Sequence, residues 1–243
     1  MYYPPLVGGL DNTDSEFVEL YNPSASPVAL SDSFDTNHDG SADIVAPWLL
    51  SGGVDFSFAQ GTTIAGYGTL LVVSFDPSDP LNAGKLAAFK TLYSVPAGVT
   101  IVGPYSGKLS NGGEKVELLR SDEPPAENPT LLPYVLEDQV NYDVAAPWPT
   151  GALGTGESIT RLGAGLWGDD AASWVAAAPS AGKFSPASMR LVLVEAPTSG
   201  ATAPTLPDAA ELGILEDHSF YAEMWVRSNP NAPANIAGGT MNM

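Results

Sequence analysis

"EFVELYN", residues 16–22, decides how the rest of the chain is read. Phe17, Glu19 and Tyr21 alternate with Val18 and Leu20, and a period of two sends successive side chains to opposite faces of a strand. Four further short pieces carry the same signal: "VDFSF" (54–58), "GTLLVVSF" (68–75), "KVELLR" (115–120) and "YVLEDQVNY" (134–142). Clusters such as "NPSASP" (22–27) and "LSNGGE" (109–114) separate them with residues that favour turns over strands. Repeated short strands of this kind predict an all-β sandwich. One stretch differs. In "NAGKLAAFKTLY" (82–93), Leu86, Phe89 and Tyr93 fall three and four apart, which predicts a single short helix riding on the sandwich.

The chain has 243 residues, with 9 Lys and Arg against 28 Asp and Glu, a formal net charge of −19. Such a charge repels nucleic-acid phosphates and anionic lipid and favours cations. Cysteine is absent, which removes disulfides, thiolate metal sites and thiol nucleophiles. No apolar run reaches the ~18 residues that a membrane span needs. High Gly and Pro with few Lys suit a secreted β-rich protein.

A shift in composition near residue 185 divides the chain. Residues 1–185 are expected to form one sandwich. Residues 186–243 hold a linker, "PTSGATAPTLPDAA", between two strand-like pieces, "MRLVLVEA" (189–196) and "SFYAEMWVR" (219–227). About three strands in so short a stretch fall below the roughly seven of a closed sandwich, so this part is expected to be an incomplete second β unit. Strand 219–227 would need a partner: an edge of the first unit or a neighbouring molecule, and the latter arrangement can propagate into a filament.

The first unit resembles a known family. "SEFVELYNPSASPVALS", "WLLSGGVDFSFAQGTTIAGYGTLLVV", "VGPYSGKLSNGGEKVELL", "VNYDVAAPWP" and "WGDDAASWVAAAPSAGKF" follow in order the pattern of a bacterial lamin-tail domain, an immunoglobulin-like β-sandwich. The resemblance implies a non-catalytic module of a large exported or surface protein, with no shared catalytic residues. It also implies that Met1 falls within a strand and that both ends belong to a longer polypeptide. The end of the second unit resembles the opening of cohesin-like sandwiches. Where lamin-tail domains run directly from "LS" into "W.LSGG", this chain inserts Asp32 to Pro47 between Ser31 and Trp48.

That insertion contains "FDTNHDGSADIVAPW" (34–48), the densest run of hard oxygen ligands in the chain. Calcium takes six to eight oxygens at ~2.3–2.6 Å, and an EF-hand-type loop supplies them from alternate positions with Gly at the sixth. Asp35, Asn37, Asp39, the Ser41 carbonyl and Asp43 match the first five ligand positions, and Gly40 the turn. The twelfth position is Ala46, so Asp32, Asp55 or water would have to complete the shell. Asp, Asn and Gly also form ordinary solvated turns, which is the competing explanation. His38 lies within the loop and is expected to face solvent, having no second His or Cys nearby.

Other combinations point less clearly to chemistry. Trp48, Trp148, Trp167, Trp174 and Trp225 are candidates for a sugar-stacking platform, but Trp48 and Trp174 are expected in the core, and Trp148 and Trp167 fit either a core or an exposed platform. Glu137 with Asp138, Asp169 with Asp170, and Asp122 with Glu123 are adjacent carboxylates, but such neighbours are expected in so acidic a chain. The two histidines, His38 and His218, accompany no nucleophile elbow. "NGGE" (111–114) and "GTGES" (154–158) lack a phosphate-cradle ending and predict hairpin turns, with Asn111 and Gly112 at positive φ. Together with what the lamin-tail resemblance implies, these features predict a non-enzymatic extracellular structural or adhesion protein of the bacterial surface, braced by Ca2+. Its partners would be other domains or subunits. A carbohydrate-binding module of an exported enzyme is the alternative.

Overall fold

The structure is a computed structural model and describes residues 1–183. The strands expected at 189–196 and 219–227, the boundary at 185, His218 and Trp225 lie outside the described residues. In chain order the strands are β1 (Phe17–Tyr21), β2 (Val28–Ala29), β3 (Ser31–Phe34), β4 (Ile44–Pro47), β5 (Leu49–Gly52), β6 (Val54–Ser57) and β7 (Thr63–Ile64). They continue as β8 (Thr69–Val73), β9 (Thr100–Val102), β10 (Ser106–Gly107), β11 (Gly113–Ser121), β12 (Tyr134–Asp143), β13 (Ser158–Arg161) and β14 (Trp174–Ala177), and one helix, α1 (Ala83–Tyr93), falls between β8 and β9.

The larger sheet has the order β10-β6-β5-β11-β12, and a three-stranded sheet has the order β1-β8-β9. The architecture is an all-β sandwich with one short helix. Its alternation is clearest in β6 and the residue after it: Val54 and Phe58 are buried and Phe56 partly so, while Asp55 and Ser57 are exposed. Val54, Phe56 and Phe58 join a core with Trp48, Leu50 and Val116 from one sheet and Leu70 and Val72 from the other.

The run at β8 has a different cause. Leu70, Leu71, Val72 and Val73 are all fully buried, because the sheet is covered on both faces. Leu70 and Val72 face the other sheet, whereas Leu71 and Val73 pack with Phe17, Phe75, Phe89 and Tyr93. The helix is placed by topology: β8 and β9 run parallel, and parallel neighbours need a crossover. Phe89 and Tyr93 are buried on its inner face, with Leu86 packed beside them. The αL conformation of Ser94 (φ 49°, ψ 46°) ends it, with the Ser94 amide donating back to Thr91 O.

The insertion forms an antiparallel hairpin, β3 with β4, in the register Ser31 to Pro47 through Phe34 to Ile44. Asp32 anchors its base, accepting hydrogen bonds from Trp48 Nε1 and Ser121 Oγ, both at 2.7 Å. The β5–β6 turn also has a strict requirement. Gly52 has φ +108°, and a Cβ there would lie 2.3 Å from the Lys115 carbonyl oxygen.

Two expected turns are built differently. "NGGE" joins β10 to β11, which are not paired strands, and the positive φ falls on Gly113 rather than on Asn111 or Gly112. The loop is held instead by Glu114 accepting from the Ser110 amide at 2.9 Å. In "GTGES" Gly154 and Gly156 have positive φ, but the turn leads from a short 3-10 segment into β13 and closes no hairpin.

Candidate cation-binding loop

Residues 35–43 cap the β3–β4 hairpin. Strand pairing up to Phe34 and Ile44 brings the two ends of the loop together, and the Asp43 amide donates to Phe34 O at 2.8 Å. Within the loop, side-chain oxygens accept from backbone amides, which is how Asp and Asn stabilise turns. Asp35 accepts from the amides of Asp39 (3.1 Å) and Gly40 (2.7 Å), while Asn37 Oδ1 accepts from Asp39 (2.9 Å). Asp39 accepts from Ser41 (2.9 Å). Asp43 closes the ring, accepting from Thr36 Oγ1, the Asn37 amide and Asn37 Nδ2 at 3.0–3.1 Å. Gly40 has φ +91° with nothing within 4 Å of a notional Cβ, so conformation rather than space calls for glycine here. His38 is exposed, also at positive φ (59°).

The structure thus brings Asp35, Asn37, Asp39 and Asp43 into one hydrogen-bonded loop with Ser41. Among the described residues, no three His, Cys, Asp or Glu side chains converge closely enough to form a metal site on their own. The chemistry nevertheless fits a hard cation. The donors are all oxygen, two of them (Asn37 Oδ1 and the Ser41 carbonyl) outside the acidic class, and a carboxylate offers ~4 lone-pair positions. Asp35 uses two of these positions and Asp39 one, so both keep capacity for a cation.

The residues considered for completing the shell are placed elsewhere. Ala46 lies within β4, opposite Asp32, and is buried. Asp32 Oδ2 is taken by Trp48 and Ser121. Asp55 projects from β6 opposite Ser106 of β10.

The tryptophans divide differently from expectation. Trp48 is core at 7% exposure, and so is Trp148 at 9%. Trp174 is only half-buried, its ring tilted against Trp148 with centroids 6.4 Å apart, with Arg161 5.7 Å from its ring and its Nε1 donating to Gly168 O. Trp167 is 54% exposed.

Two of the three adjacent carboxylate pairs are divided between separate partners. Glu137 pairs with Arg120 and Asp138 with Arg161. Asp169 accepts from Gln139 Nε2 and the Asn141 amide, whereas Asp170 caps a 3-10 turn through the Ala172 amide. Asp122 accepts from the Glu123 amide.

Sequence reading missed Glu16, which is fully buried and accepts from Tyr105 Oη (3.1 Å) and the Leu109 amide (3.0 Å). Burial pushes its carboxyl up, against the lowering effect of those hydrogen bonds. Burial likewise raises the Tyr105 hydroxyl, and it raises Tyr93 to about 12 although Tyr93 donates to Ser15 O. The available signal was parity: Glu16 shares its strand face with Val18 and Leu20. Comparison with family models, curated proteins and solved structures finds no match to this chain.

Proposed function

We propose that this chain is a non-catalytic extracellular structural or adhesion module whose inserted hairpin is braced by Ca2+. One observation carries the reading: a single loop gathers Asp35, Asn37, Asp39, Ser41 and Asp43 at the tip of a hairpin whose base is tied to the main sheet through Asp32. In a chain of net charge −19 without cysteine, a divalent cation neutralises local acid and orders the loop. Asp35, Asp39, Asp43, Asn37 and the Ser41 carbonyl are the groups that would hold it. Binding only to the folded state adds stability by mass action, about 2.7 kcal/mol when free calcium exceeds Kd by about a hundredfold.

The distribution of carboxylates among separate structural partners supports a non-catalytic role. No helix among the described residues is long and apolar enough to cross a membrane. As a bacterial surface protein it would work beside other domains or subunits, with assembly into an oligomer or fibre as the extended form of that role. Thermal melting tests the calcium brace. Calcium should raise Tm relative to chelator by several degrees, and Asp35→Asn with Asp39→Asn should melt at the chelator value in both buffers. Coincident melts of the native chain in calcium and chelator would remove the brace.

A further inference from the structure

Between the two main sheets lies a cavity of about 500 Å3. It opens to solvent on one side, so it is a cleft rather than a sealed void. Its walls are inner-face side chains that a closed sandwich would bury completely. Val18 and Leu20 of β1, Leu118 of β11, Val140 of β12 and Ile159 of β13 pack against the core yet are each only half-buried. Apolar groups left in this state forfeit burial free energy that an apolar occupant would recover. The volume falls in the ~300–1,000 Å3 range of small-molecule sites.

The mouth is built from ordered polar groups. Arg161 is held by Asp138 and by the Leu166 carbonyl, and it lies over Trp174. Gln139 is fixed on Asp169. Trp167 and Leu166, 54% and 43% exposed, form an apolar lip. The ionic side chains lining the cavity are Glu19, Glu137, Asp138 and Arg161; Asp138 pairs with Arg161 and Glu137 with Arg120, so the described lining offers no unpaired cationic side chain. An anionic group would find no free cationic side chain here to pair with, in a chain of net charge −19, whereas an uncharged apolar molecule would meet only the cost of displacing water.

We propose that this inter-sheet cavity is a binding site for an uncharged, largely apolar small molecule, entering past Trp167 and Arg161. The site is separate from the calcium loop and stands or falls independently of it.

Two dyes with one aromatic skeleton test it: N-phenyl-1-naphthylamine, which is uncharged, and 1-anilinonaphthalene-8-sulfonate, which adds a sulfonate. With the full native chain, the uncharged dye should give saturable fluorescence enhancement at one site per chain, and the sulfonate should bind at least tenfold more weakly. Val140→Trp, which fills the cavity from β12, should weaken the uncharged dye at least tenfold while circular dichroism and melting show an intact fold. Should that variant fail to fold, the ratio of the two dyes on the native chain decides alone. Absence of saturable binding, equal affinity for the sulfonate, or unchanged affinity in a folded Val140→Trp chain would each overturn the proposal.

Discussion

Glu16 occupies a position where the pattern of β1 calls for an apolar residue, and the core accommodates it with donors from Tyr105 and the Leu109 amide. Because burial raises its carboxyl above the ordinary value of 4.5, the folded chain retains a proton that the unfolded chain has already released. Stability contributed by this group therefore falls as pH rises from the ordinary carboxyl value through the raised one, and the loss persists above it. Glu16→Gln keeps an acceptor for both donors without the charge. Urea unfolding from about pH 4 to pH 8 should show a flatter dependence in this variant than in the native chain. Glu16→Ala should instead cost about 1–3 kcal/mol, because it orphans the Leu109 amide. Among the tryptophans, Trp48→Ala should cost ~3–5 kcal/mol, since it empties core volume and removes a donor to Asp32, and half-buried Trp174→Ala should cost less. Paired denaturant melts check that ranking, and equal costs would contradict the burial difference.

At the scale of elements, β12, of ten residues, ends the larger sheet among the described residues, and long open edges invite pairing with other chains. Two of its amides are already occupied by carboxylates: Asp138 accepts from Gln139 and Asp169 from Asn141. Asp169→Ala should free the Asn141 amide and release Gln139, raising the fraction of dimer and larger species in light scattering without a large change in fold. An unchanged size distribution would show that Asp169 does not guard the edge. The strands themselves were legible because alternation in "VDFSF" and "EFVELYN" marks an inner face wherever one side is wet. The helix was legible too, since Leu86, Phe89 and Tyr93 share one face. "GTLLVVSF" gave a strand, but not the helix packed on its second face, because burial on both sides leaves no polar side to read. The "NGGE" turn misled for a related reason: Asn-Gly is a hairpin signal only when the flanking strands pair, and β10 pairs with β6 instead.

For the whole molecule, the sequence placed oxygen ligands along the inserted segment, and the hairpin explains how they come together. Phe34 meets Ile44, so Asp35 and Asp43 stand at the two ends of one loop. What spacing did not reveal is the fate of Ala46 and Asp32, since a calcium-loop template continues into position twelve whereas this chain has already re-entered a strand. Nor does strand parity reveal how far apart two sheets stand, and so the inter-sheet cavity had no trace in the sequence. The two expectations can be separated experimentally, because filling the cavity should leave calcium affinity unchanged, and neutralising loop carboxylates should leave dye binding unchanged. The most direct measurement of the central claim is isothermal titration of Ca2+ into the chelator-treated chain, alongside the same chain carrying Asp35→Asn and Asp39→Asn. One saturable site per chain in the native protein, lost in the double variant, is the predicted result. No saturable heat up to millimolar calcium, or the same isotherm from both proteins, would contradict it.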